Sequence, residues 1–142
     1  MADKHKYTTI TNDAQILSCR PVIESIEYEI NKMCKNSCYK YGTEIYGTIE
    51  SLLKLKQSYI DRYNDFNNIM QFFKVNERRI IIDYFATIKS AFQLSEELGI
   101  SVRTFFRRID KLNTKYLELK SRLEEVRNEE SRRNNSDDRA II

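Results

Sequence analysis

Between Ser101 and Lys115 stand five cations, Arg103, Arg107, Arg108, Lys111 and Lys115, against one acid, Asp110. The whole chain nets only +3, from 24 basic and 21 acidic residues, so the basic character is local. A basic segment inside a balanced chain points to an anionic partner at one place rather than to general adhesion. Arg103 and Arg107 lie one helical turn apart. Guanidinium groups so placed offer forked donors that suit phosphates and the acceptor edge of guanine. Phe106, between them, offers an apolar face for a thymine methyl or a sugar.

Those groups can act only if something holds them outward. Leu98-Gly99-Ile100-Ser101 reads as the end of one helix and the start of the next. Gly99 suits a left-handed stop and Ser101 an N-cap. On a wheel of about 3.6 residues per turn, Phe105, Ile109 and Leu112 point inward. Arg103, Phe106, Arg107, Asp110 and Thr114 point outward, with Thr104, Lys111 and Lys115 flanking them. Arg108 falls near the core edge, in reach of Glu96 or Glu97. Phe92, Leu94, Leu98, Ile100, Phe105 and Ile109 are expected to lock the two helices at a fixed angle. The first-turn amides at Ser101 and Val102, together with Thr104 and Lys111, suit phosphates at the positive end of the helix dipole. Short helix, glycine turn and capped helix together form a helix-turn-helix pattern, whose second helix enters the major groove of duplex DNA. A merely solvated basic face would not call for the cap, the glycine, the inward aromatic and the outward arginines at once.

The elements that carry this segment read as all-α. The chain has three glycines and one proline, and none lies between Thr48 and Leu98. Ile23, Ile26, Ile30 and Met33 or Cys34 predict a helix over about 21–35, opened by Pro21 and stopped near Gly42. Ile45, Ile49, Leu52, Lys56, Tyr59, Tyr63, Phe66, Met70 and Phe73 then alternate in steps of four and three, as in a long bundle or coiled-coil helix. The two form an N-terminal helical hairpin. Leu53, Leu55, Ile60 and Ile69 widen the stripe beyond what one short helix covers. The residues from Ile45 through Ile49, Leu52, Lys56, Tyr59, Tyr63, Phe66 and Met70 are therefore candidates for an oligomer seam, most simply a homodimer. Lys56 either fixes the register of that seam or buries its stem and snorkels its amine outward.

Asn76 with Glu77 predicts the cap of a further helix with Ile80, Ile81, Tyr84 and Phe85 inside, followed by a short connection, Ala86–Ser90. The last helix continues through Tyr116, Leu119, Leu123 and Val126. The expected organisation is a flexible arm (1–20), a helical oligomerisation or interaction region (21–74), a helix-turn-helix domain with an extended last helix (75–126) and a disordered mixed-charge tail (127–142).

"LGISVRTFFRRIDKL" resembles the helix-turn-helix of phage-type transcriptional regulators of the ArpU and RinA kind, through Ile100, Ser101, Arg103, Thr104 and Phe105, continued by Phe106 and Arg107. The same stretch is similar to the promoter-reading region four of bacterial sigma factors, and "NERRIIIDYF" resembles the helix that precedes the motif in both. The likeness covers about 75–120; residues 1–74 resemble no known family. Between Phe85 and Leu98 the chain is one residue longer than the sigma pattern. The resemblance implies sequence-specific DNA binding and regulation of late phage or mobile-element genes in a low-GC Gram-positive bacterium, with RNA polymerase as a possible second partner.

Other chemistry has little support. His5 is the sole histidine, so histidine-dependent catalysis lacks its base. No P-loop, nucleophile elbow or dinucleotide fingerprint occurs. Cys19, Cys34 and Cys38, even with His5, lack the paired spacing of a structural zinc site; they read as reduced thiols, which with no leader-like opening suits the cytoplasm. The pairs Glu124-Glu125 and Glu129-Glu130 read as solvated surface. Tyr39, Tyr41 and Tyr46 read more as packing against the first helix than as base-stacking groups. The longest aliphatic run, Ile80 to Ile82, is too short to span a membrane. No catalytic, metal or cofactor site is predicted. Two alternatives remain at this level: a helical module that docks on polymerase without reading bases, and a DNA-recognition subunit like the small subunit of a phage terminase.

Overall fold

The computed structural model describes residues 6–37, 42–87 and 89–140, with side-chain surroundings for 6–35, 47–86 and 89–135. The protein is all-α. Its helices are α1 (Thr8–Ala14), a 3-10 turn (Gln15–Ser18), α2 (Arg20–Ser37), α3 (Gly42–Met70), α4 (Val75–Ile81), running on as a π-helical turn (Ile82–Thr87), α5 (Ala91–Leu98) and α6 (Val102–Ala140). They group into two compact units, one of residues 11–88 and the other of 1–10 with 89–142.

In the first unit α2 and α3 pack along each other. Glu27 of α2 meets Lys56 of α3 with the amine 2.9 Å from the carboxylate. Lys56 thus pairs within the chain, with its side chain 29 % exposed and its amine on a carboxylate at the surface. The lower end of α3 is covered by the chain itself. Phe66, Ile69, Met70 and Phe73 are buried with Ile16, Ile81, Phe85 and Ala86, and the Gln15 side-chain amide donates to the Phe85 carbonyl at 3.1 Å. Phe66 and Met70 are therefore core residues and unavailable to an oligomer seam. Ile49, Leu52 and Tyr59 are half-buried and Tyr63 is exposed; the side chain of Ile45 lies outside the described residues. Leu53 and Leu55, on the rim of the stripe, are exposed.

Several expectations are corrected. Residues 8–18 of the N-terminal segment are helical. Tyr7, Ile10 and Ala14 recur at steps of three and four and are buried, as are Ile16 and Cys19; the polar residues between them conceal the period. Gly42 opens α3 instead of stopping its predecessor. The cap of α4 is Lys74, not Asn76: the Glu77 carboxylate takes the Lys74 N–H at 3.0 Å, half of a capping box. Ala86 and Thr87 belong to the π turn rather than to a loop. The boundary falls after Ile88, so α4 belongs with the first unit and not with the basic helix. The mixed-charge tail is helical through Ala140. Once α6 is nucleated, Glu and Arg are good helix formers, and extension needs no apolar partner.

Candidate nucleic-acid interface

The second unit is built around the joint between α5 and α6. Ser90 caps α5, its hydroxyl taking the Gln93 N–H at 3.1 Å while the Gln93 side chain takes the Ser90 N–H at 3.0 Å. At the other end Gly99 has φ 67°, a conformation that costs residues with a Cβ and suits glycine. The Gly99 N–H reaches the Glu96 carbonyl and the Ile100 N–H reaches the Ser95 carbonyl, the two bonds of a Schellman stop. Ser101 then caps α6: its hydroxyl accepts the Thr104 N–H at 3.1 Å and donates to the Thr104 hydroxyl at 2.9 Å. Helix, reversal and helix follow within a handful of residues because the stop of α5 and the cap of α6 adjoin, while the N–H groups of Val102 and Arg103 keep no partner among the described residues.

Packing fixes which face of α6 is free. Phe105, Ile109 and Tyr116 have no exposed surface, and Leu112 is buried. From α5 the inward residues are Leu94 and Ser95, the latter donating to the Phe92 carbonyl at 2.8 Å. The sequence misplaces two side chains here: Phe92 is 62 % exposed and Leu98 is also exposed, and Ile100 is only half-buried. Leu94 and Ser95 lie on the one face that α6 meets, so a bulkier apolar set was not needed.

Opposite this core, Ser101, Val102, Arg103, Arg107, Arg108, Lys111 and Thr114 are exposed, and Thr104, Phe106 and Lys115 are half-buried. Among the described residues Arg103, Arg107, Arg108 and Lys111 have no acidic partner. The Arg108 brace to Glu96 or Glu97 does not form; Lys89 takes Glu97 instead, at 3.1 Å. Phe106 stands edge-on to Phe105, ring centroids 5.9 Å apart, which steadies its ring beside the arginines. Thr104 accepts from Ser101 and so keeps its own hydroxyl proton to donate. Thr114 does not: its hydroxyl donates back to the Asp110 carbonyl at 2.9 Å, which removes it as a phosphate donor.

Asp110 is also not an outward reader. Its carboxylate accepts the Tyr7 hydroxyl proton and pairs with the Lys6 amine at 2.9 Å. The Tyr7 hydrogen bond, with Lys6 beside it, holds the Asp110 carboxyl below the usual carboxylate range. The Asn113 side chain adds a bond to the Lys6 carbonyl at 3.2 Å. The N-terminal segment is thus strapped onto α6 just past the arginines, and it neutralises the one negative charge on that stretch. Sequence reasoning missed Lys6 and Tyr7. The signals were the period of Tyr7, Ile10 and Ala14 and an acid without an evident role among cations.

Elsewhere, a cleft of about 560 Å³ lies between α2 and α3, lined by Leu17, Cys19, Ile23, Ile60 and Tyr63 among others. Its rim charges are spent on each other, Arg20 on Glu24 at 3.2 Å and Lys56 on Glu27. Cys19 is buried and Cys34 exposed, and neither is in a disulfide; His5, Cys38, Tyr39 and Tyr41, and the side chain of Tyr46, lie outside the described residues. Among the described residues no cluster of potential metal ligands forms, and no helix is long and apolar enough to cross a membrane. Comparison with known proteins finds no matching family, no matching curated protein and no matching solved structure.

Proposed function

We propose that the protein is a sequence-specific DNA-binding regulator whose α5–α6 joint is a helix-turn-helix, with the first turns of α6 entering the major groove. The observation that carries this reading is one rigid helix with two opposed faces. Phe105 and Ile109 are wholly buried, while Arg103 and Arg107, one turn apart, are exposed and without acidic partners among the described residues. A surface helix that served only packing would pair such arginines or intersperse acids; this one spends its only nearby acid on the N-terminal strap. Arg103 and Arg107 are the base-reading candidates. Lys111, Thr104 and the free amides at the start of α6 are the phosphate contacts that set register. Phe106 meets a methyl or sugar.

One such helix makes few base contacts, so the reading includes a homodimer on a two-fold related site. The seam narrows to the exposed part of α3 around Leu53 and Leu55, since Phe66 and Met70 are interior. Selection from a random duplex pool, followed by gel-shift titration at fixed salt, tests the proposal. The expected result is a selected sequence bound about a thousandfold or more tighter than random duplex. Equal affinity for both would leave only nonspecific phosphate attraction and end this reading.

A further inference from the structure

Arg107 has an acid within reach and does not take it. Side chains three or four apart on a helix are neighbours, and opposite charges so spaced attract. The positions that stand in this relation to Asp110 are Phe106, Arg107, Asn113 and Thr114, and of these only Arg107 is a cation. Yet Arg107 is exposed and without an acidic partner among the described residues. The Asp110 carboxylate is engaged elsewhere: it accepts the Tyr7 hydroxyl proton and lies 2.9 Å from the Lys6 amine.

The clip that engages it is itself held. Tyr7 and Ile10 are buried. The side-chain amide of Asn113, also buried, donates to the Lys6 carbonyl at 3.2 Å. Lys6 and Tyr7 belong to the same compact unit as α6. The Asp110 side chain is nevertheless 40 % exposed, and helical spacing puts it on the side of α6 that carries Arg103 and Arg107. A bare carboxylate there would act twice against a duplex. It would repel phosphates, and it would draw the Arg107 guanidinium back onto the protein. A neutral hydroxyl donor and a full positive charge on the same carboxylate suppress both effects.

We infer that Lys6 and Tyr7 are positioning residues for duplex binding: they occupy the Asp110 carboxylate and balance its charge, which leaves Arg107 free for the nucleic acid. The inference rests on the proposed reading of α6 and adds to it two residues from the N-terminal segment.

The test is a charge cycle on the full chain, read by fluorescence anisotropy of the selected duplex at fixed low salt. The Lys6 side chain is half-exposed, so Lys6→Gln removes its charge at little cost to packing. It is expected to weaken binding about threefold or more, the scale of one unscreened charge several ångströms from a phosphate at a wet surface. The same change made in an Asp110→Asn chain is expected to leave binding unaltered, because no carboxylate remains to be released. Lys6→Arg is expected to bind as the wild type does, and the Lys6→Gln loss is expected to shrink as added salt screens the charges. Tyr7→Phe in the same two backgrounds is expected to repeat the pattern at smaller size. A strap that serves only the fold would cost binding equally with and without the Asp110 carboxylate, and so would a direct contact between Lys6 and a phosphate. Either result overturns the inference, as does a Lys6→Gln chain that binds like the wild type; in all three cases the wild-type chain still selects its sequence and the DNA-reading proposal stands. A wild-type chain that selects no sequence ends that proposal and this inference with it.

Discussion

The two halves of α6 share one stripe and have opposite fates. From Phe105 to Tyr116 the stripe is buried; from Leu119 to Val126 it is half-buried or exposed. Periodicity says which face of a helix is apolar, and it is blind to what covers that face. The contrast is most sharply tested by truncation. Phe105→Ala and Tyr116→Ala, both at positions with no exposed surface, are expected to cost about 3–5 kcal/mol each, removing contacts and leaving a cavity. Val126→Ala is expected to stay within about 0.5 kcal/mol. Urea unfolding followed by circular dichroism reads both. Comparable losses in the two halves would mean that the distal stripe is packed after all.

A second contrast runs across the proximal half, between its sealed and its open side. Arg103→Ala and Arg107→Ala touch no core residue and are expected to leave the unfolding midpoint unchanged. On the proposed reading each weakens binding to the selected duplex by about 1–3 kcal/mol and relaxes preference at one base position. Lys111→Ala should instead weaken selected and random duplexes alike and lower the salt slope. If all three behave like Lys111, the helix holds DNA but does not read it.

The joint that presents these arginines was legible because its signals are local. A left-handed glycine, a serine cap and an inward aromatic are settled by residues within two turns, and Gly99, Ser101, Phe105 and Phe106 stand as their chemistry requires. Gly99→Ala, where the added methyl meets nothing within 4 Å, should still cost about 1 kcal/mol through backbone conformation alone; a neutral substitution, read by the same unfolding assay, would mean that the joint is not held at φ 67° in solution. What was hidden is what depends on distant partners. Phe66 and Met70 look like seam residues until Ile16 and Phe85 arrive from far along the chain. The tail lacks an apolar face, so it reads as coil, yet it inherits its helix from a nucleus more than twenty residues earlier.

The N-terminal strap is the clearest long-range case, since Tyr7 and Asp110 are 103 residues apart. It also separates the halves of α6, because the proximal half has this brace at Asp110. The Tyr7 hydroxyl and the Lys6 amine favour the charged carboxylate, so the folded chain holds this proton less tightly than the unfolded chain does. The stabilisation is therefore fully present above the unfolded carboxyl pKa of about 3.9 and is lost as pH falls through the lower folded value. With the pair partly exposed, its worth is below about 1 kcal/mol. Asp110→Asn should accordingly be slightly less stable than wild type at neutral pH, and the gap should close in acid. Tyr7→Phe should raise the Asp110 titration toward the ordinary range, as followed by carboxyl chemical shifts. A gap that persists below the folded pKa would mean that Asp110 holds the strap by shape, and that the charge at this point of α6 is incidental.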